Sequence, residues 1–133
     1  MSDEALWALG RGTGLTALML LTVSIALGVW TRSGRPLPGL PRFAVSSLHR
    51  SVALGATLLV VVHVATMVVD PYAQIDLLDV VLPFRAGYAP LWVGFGTLAL
   101  DLLLVVVVTG LLRHRLGPNT FRVIHLATYL LWP

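Results

Sequence analysis

Apolar residues in this chain run in long blocks rather than alternating with polar ones. Three blocks, Leu6 to Trp30, Leu48 to Val69 and Leu91 to Leu112, each exceed the roughly 20 residues a helix needs to cross about 30 Å of hydrocarbon. A fourth begins near Asn119 and reaches Pro133; counted from Phe121 it is too short to span alone. The pattern predicts an all-α integral membrane helical bundle. It forms a single transmembrane domain over 1–133, with spans at about 6–30, 48–69 and 91–112 and the start of a fourth at 120–133. The short last run reads as a truncated chain, or one whose last helix another subunit completes.

Composition strengthens the membrane reading: 57% of residues are apolar and only 11% charged. There are no cysteines, which excludes disulfides, Fe–S clusters and covalently attached c-type haem. The first block is not a secretion signal, because Asp3 and Glu4 stand where a positive region belongs and the apolar run is too long. It stays in the protein as a helix. The net charge of +3 follows from topology, and no basic stripe with interleaved aromatics points to nucleic acid.

The arginines set the orientation. Arg32, Arg35, Arg42 and Arg50 flank the first connection and Arg113, Arg115 and Arg122 the third, so both face the cytoplasm. Asp3, Glu4, Asp70, Asp76 and Asp79 fall on the other side, with Arg11 and Arg85. The N-terminus is therefore expected outside, in a bacterial-type plasma (cytoplasmic) membrane.

Prolines punctuate the connections. Arg35-Pro-Leu-Pro-Gly-Leu-Pro41 cannot continue a helix, and Asp70-Pro71 stops the second one. Ile75 to Leu82, with Asp76 and Asp79 three apart, reads as a short helix on the outer surface, packed at the interface or serving as a lid or docking element. Gly117-Pro118 is a further break, with Asn119 or Thr120 placed to cap the fourth helix.

Candidate chemistry lies in the second block, where His49 and His63 are fourteen residues apart. Fourteen steps of about 100° and 1.5 Å bring the second imidazole to within roughly 40° of the first, about 21 Å further along. One metal ion cannot be shared over that distance, since ligands lie about 2 Å from a zinc or copper ion. Two stacked cofactors can, each taking a second imidazole from a facing helix. In the inferred topology His125 shares the cytoplasmic depth of His49. The matching partner of His63 would fall beyond Pro133.

The chain resembles the ferric reductase-like transmembrane family through Leu48-His-Arg, the His49/His63 pair, Thr109-Gly-Leu-Leu-Arg113 and Phe121-Arg-Val-Ile-His125-Leu-Ala-Thr-Tyr-Leu-Leu-Trp-Pro133. That family includes bacterial ferric reductases, the haem subunit of methionine sulfoxide reductase systems and the membrane half of NADPH oxidases. The resemblance implies two b-type haems held by histidine pairs and electron transfer from a cytosolic donor to an outer acceptor. Carried onto these residues, His49 and His125 serve the inner haem and His63 the outer, whose second histidine is absent from the chain. Electrons would come from a flavoprotein or other redox partner, or from a fused domain beyond residue 133. Membership of a larger membrane complex fits the same reading.

Physical arguments run alongside. A histidine buried in lipid is costly unless partnered; iron satisfies one ring nitrogen and the other needs an acceptor. Ala53 and Ala56 lie within about 40° of the His49 direction and leave room for a flat porphyrin. Arg50, Arg122 and Arg42 on the inner side and Arg11 on the outer are candidate propionate donors, although topology and snorkelling account for such residues equally well. His114, between two arginines at a helix end, reads as interfacial. Asp101, in mid-membrane, is either proton-linked or a neutral carboxyl bonded to a neighbouring helix, at Thr22 or Ser24. Gly10, Gly12 and Gly14 read as a packing pattern. Two other functions fit the apolar spans: a non-catalytic anchor or assembly subunit, and proton or ion conduction through Asp101 and the histidines.

Overall fold

The computed structural model describes residues 3–34 and 38–126. Expectations that rest on Arg35 or on the 127–133 part of the fourth run lie outside the described residues. Four helices occur in chain order, α1 (Asp3–Ser33), α2 (Arg42–Val69), α3 (Pro90–Leu111) and α4 (Pro118–Leu126). There is no strand among the described residues. Three of the helices are long and apolar enough to cross a membrane, which makes the chain an all-α integral membrane protein. Its residues fall into two compact units, Met1–Thr66 and Met67–Pro133.

The helices extend past the apolar blocks that announced them. α1 begins at Asp3 and carries Arg32 in its last turn, so charges of the favourable sign sit at both poles of the helix dipole. It stops at Gly34, whose φ of 69° is the left-handed geometry that closes a helix and that a glycine adopts without cost. α2 starts earlier than hydropathy alone suggests: Pro41 contributes its carbonyl to the amides of Ala44 and Val45, and the helix runs from Arg42. It ends where Pro71 removes the next donor. The Asp70 carboxylate then accepts the Tyr72 amide at 2.9 Å and turns the chain.

The first unit is built inside out relative to a soluble protein. Apart from Val45, the buried residues on its helices are small or polar, among them Thr13, Ala17 and Ser24 on α1 and Ala56 and Thr66 on α2, while Leu15, Met19 and Leu58 are exposed. Lipid is as apolar as leucine, so burying large side chains gives no drive for helices to associate. Close approach over small residues does. On α2, Val45, His49, Val52, Ala56, Leu59, His63 and Thr66 alternate in steps of four and three, and all are at least half-buried. That is the seam of a left-handed helix pair. Threonines in the spans return their hydroxyls to carbonyls four residues back, as Thr16 does to Gly12 and Thr57 to Ala53, which satisfies them without water.

In the second unit the connection from Asp70 to Ala89 departs from expectation. Ile75 to Leu82 is a succession of turns and forms no helix. The reason is local. Asp79 Oδ2 accepts the Asp76 amide at 3.0 Å while the Asp79 amide donates to the Asp76 carbonyl at 2.9 Å, closing a turn, and Pro83 withdraws a donor just beyond. The facing is inverted as well: Asp79 is buried, whereas Leu77, Leu78 and Val81 are exposed. Thr97 on α3 donates to the Asp79 carbonyl at 2.7 Å and ties the connection down. Phe84, held at a φ of 66°, lays its ring on Gly94 and meets Phe95 edge-on at 5.6 Å.

Pro90 takes the first position of α3, where a missing N–H costs nothing, and disfavours the right-handed region for Ala89, which here lies in the left-handed one. α4 uses the same device. Pro118 opens it and the Gly117 carbonyl accepts the Phe121 amide, so the helix begins before Asn119 and Thr120, the residues expected to cap it. α4 packs on α3.

Candidate functional site

His49 and His63 meet α1 in the same way at two levels. His63 Nδ1 lies 2.8 Å from the Gly10 carbonyl oxygen, and His49 Nδ1 lies 2.9 Å from that of Ser24. A carbonyl only accepts, so each imidazole donates its Nδ1–H and carries its lone pair on Nε2. Going fourteen residues back along α2, from His63 to His49, matches going fourteen residues forward along α1, from Gly10 to Ser24. The helices are antiparallel, and two heptads of a left-handed pair separate the levels.

A carbonyl inside a helix already accepts one amide, and its remaining lone pair is usually screened by the side chain four residues on, which leans toward the N-terminus. Here the residue four on is glycine both times. A Cβ on Gly14 would stand 2.9 Å from Cε1 and Nδ1 of His63, and one on Gly28 would stand 3.2 Å from Cε1 of His49. The missing side chains uncover the Gly10 and Ser24 carbonyls and admit the rings. Gly14 and Gly28 thus work as clearances for two imidazoles. Gly12, which belongs to the same sequence pattern, meets nothing within 4 Å.

At the upper level His63 borders an open groove of about 640 Å³ in the first unit, within the size range of ligand sites. Leu15, Leu18, Leu21 and Val60 give it apolar walls, Gly14 lies beside the imidazole and Arg11 stands among its lining residues. The Arg11 guanidinium also lies 4.4 Å from the centre of the Trp7 ring, a cation–π arrangement that steadies its charge. An apolar slot with one imidazole and one fixed cation suits a flat apolar ring with anionic substituents.

The remaining candidates are placed as follows. Arg50 and Arg122 are exposed, as is His114 in the turn after α3. Arg42 is bonded through Nη2 to the Gly34 carbonyl and closes the first connection. Ala56 is fully buried in the α1–α2 seam, so it does not offer the open face expected of it. Ser24 belongs to the His49 level, with its hydroxyl 3.4 Å from Nδ1, and the Thr22 hydroxyl donates to the Leu18 carbonyl. Asp101 is half-buried on α3. In the second unit His125 stacks on Phe121 with ring centres 5.0 Å apart and planes 22° from parallel.

Among the described residues no three His, Cys, Asp or Glu side chains converge as a metal site. Axial ligation of a porphyrin does not call for such a cluster, because the macrocycle supplies the equatorial nitrogens. Sequence reasoning found the two imidazoles and missed their acceptors. The signal was present: Gly10-x-x-x-Gly14 and Ser24-x-x-x-Gly28 repeat at the spacing of the histidines.

Compared with known proteins, the chain matches over residues 13–133 the family described as ferric reductase like transmembrane component. No curated protein and no solved structure matched it.

Proposed function

The chain belongs to the ferric reductase-like transmembrane family, and from that premise we propose that it is a b-type haem module carrying electrons across the membrane. His49 and His125 would hold an inner haem and His63 an outer one, the assignment that the sequence resemblance implies. A haem bound there supplies the one-electron redox change.

What this chain's own residues contribute is order. α1 holds both imidazoles of α2 in one tautomer and one ring orientation through the carbonyls of Gly10 and Ser24. Arg11 offers a charged donor to a propionate on the outer side, and Arg50 and Arg122 do so on the inner side. The apolar walls limit access of water, which sets the local dielectric and with it the reduction potential. The module lies in the plasma membrane with its N-terminus outside, as one transmembrane domain. It is served by a flavoprotein or a further domain on the cytoplasmic side and by an acceptor outside.

One observation carries this reading: two histidines of one span, four helical turns apart, each donate Nδ1–H to an uncovered carbonyl, the tautomer in which Nε2 is the nitrogen that could take a metal. An imidazole used only for packing needs no glycine opposite it. Haem-to-protein stoichiometry of the purified protein tests the proposal, repeated after His49→Ala and His63→Ala. Each substitution is expected to remove a different haem, and retention of full haem by both variants overturns it.

A further inference from the structure

The two carbonyl sockets share a register but differ in their hydroxyls. At the outer level the Thr13 hydroxyl lies 3.1 Å from the Gly10 carbonyl oxygen, the atom that also accepts the His63 Nδ1–H; the same hydroxyl is 2.7 Å from the Leu9 carbonyl. Thr13 is buried, so water does not substitute for it. At the inner level the hydroxyl lies on the other side of the bond. Ser24 Oγ is 3.4 Å from His49 Nδ1 and can only accept there, because a hydrogen already donated to the Ser24 carbonyl leaves the nitrogen no acceptor capacity. Ser24 is buried as well.

These arrangements act in opposite directions. The single Thr13 hydrogen, shared between the Leu9 carbonyl at 2.7 Å and the Gly10 carbonyl at 3.1 Å, draws some density from the Gly10 oxygen and weakens its pull on the His63 proton. A second acceptor beside His49 strengthens the pull on the proton there. The more an imidazole's N–H is drawn away, the more electron density its other nitrogen gives a bound metal, and the better the oxidised metal is stabilised.

We propose that Thr13 and Ser24 are positioning residues that make the two sockets unequal, leaving His49 the more strongly electron-donating ligand and a haem held by it the more reducing of the two. This rests on the haem reading above. With haem bound at both levels, an electron would pass downhill from the one held by His49, oxidising it, to the one held by His63, reducing it. Both imidazole protons stay on Nδ1, so charge crosses without proton release from the ligands. With the N-terminus outside, the slope runs from cytoplasm to exterior.

The experiment is a redox titration of the purified, haem-loaded protein, with the two haems assigned through His49→Ala and His63→Ala, followed by Thr13→Val and Ser24→Ala. Thr13→Val is expected to move only the His63 haem to lower potential, and Ser24→Ala only the His49 haem to higher potential. Both narrow the gap, and a tenfold change in the sharing of one electron reads as 59 mV. Nitrogen-15 and proton NMR of labelled histidine provides a second readout that does not depend on turnover: the His63 Nδ1 proton moves downfield in Thr13→Val and the His49 proton upfield in Ser24→Ala. Unmoved potentials and proton shifts, or movement in the opposite sense, overturn the proposal while the haem reading stands. A wild type with a single haem has no gap to set and overturns it likewise. A wild type without haem removes the functional reading and this inference together.

Discussion

The ring of His63 occupies the space that a side chain on Gly14 would fill, and in doing so it reaches the Gly10 carbonyl at 2.8 Å. Adding one methyl there is therefore a direct test of the socket. In Gly14→Ala the new carbon would stand 2.9 Å from two ring atoms, so the imidazole or the helix must move. Overpacking of this kind costs about 1–3 kcal/mol. Gly28→Ala is the milder change, because its closest approach to His49 is 3.2 Å. Thermal unfolding in detergent is expected to rank wild type above Gly28→Ala and Gly28→Ala above Gly14→Ala, with outer haem content falling first in the last. Equal stability of all three would mean that α1 does not hold the rings.

Gly94→Ala probes the second unit alone. A Cβ there would overlap the Phe84 ring. Phe84 already sits at a strained positive φ, which only its surroundings maintain. Displacing the ring also breaks its edge contact with Phe95. The expected result is a loss of about 1–3 kcal/mol in stability with the His63 Nδ1 proton signal unchanged, read by unfolding and by NMR respectively.

Thr97→Val removes the hydroxyl that binds the Asp79 carbonyl at 2.7 Å inside the protein. The buried acceptor loses its partner, at a cost of about 1–3 kcal/mol. Because that bond ties the 70–89 connection to α3, amide hydrogen exchange should accelerate in the connection more than in the spans. Uniform acceleration, or none, would show that the connection is held by other contacts.

Orientation can be read chemically because the chain contains no cysteine. Glu4→Cys and Arg113→Cys replace exposed residues and introduce a single thiol each. In intact cells a membrane-impermeant maleimide is expected to label Glu4→Cys, and to label Arg113→Cys only after permeabilisation. The reverse pattern places the N-terminus inside and inverts the direction of electron flow proposed above.

His114 provides a negative control among the histidines. It is exposed in the turn after α3, and none of the arguments for ligation apply to it. His114→Ala should retain the haem content and the reduced spectrum of the wild type, in contrast to His49→Ala and His63→Ala.

Much of this protein is readable from one dimension. Blocks of Leu and Val longer than a bilayer is thick can only be spanning helices, since lipid offers no partner for an open backbone. The breaks at Pro71, Pro90 and Pro118 follow from a ring that removes a donor. The His49/His63 spacing likewise puts both imidazoles on one face, because helical geometry is the same in every sequence.

Tertiary structure decided what those imidazoles touch. Gly14 and Gly28 are as good for packing helices as for admitting a ring, and nothing in a glycine says which. The choice depends on which residue of α2 arrives opposite, a matter of register between two helices. The connection after Asp70 departs from periodicity for a related reason: Asp76 and Asp79 fit a polar helix face by spacing, yet the Asp79 carboxylate accepts the Asp76 amide, Asp79 is buried while Asp76 stays exposed, and Thr97 of α3 holds the Asp79 carbonyl. Local periodicity describes an isolated element, whereas hydrogen bonds between elements go wherever the fold brings a donor to an acceptor.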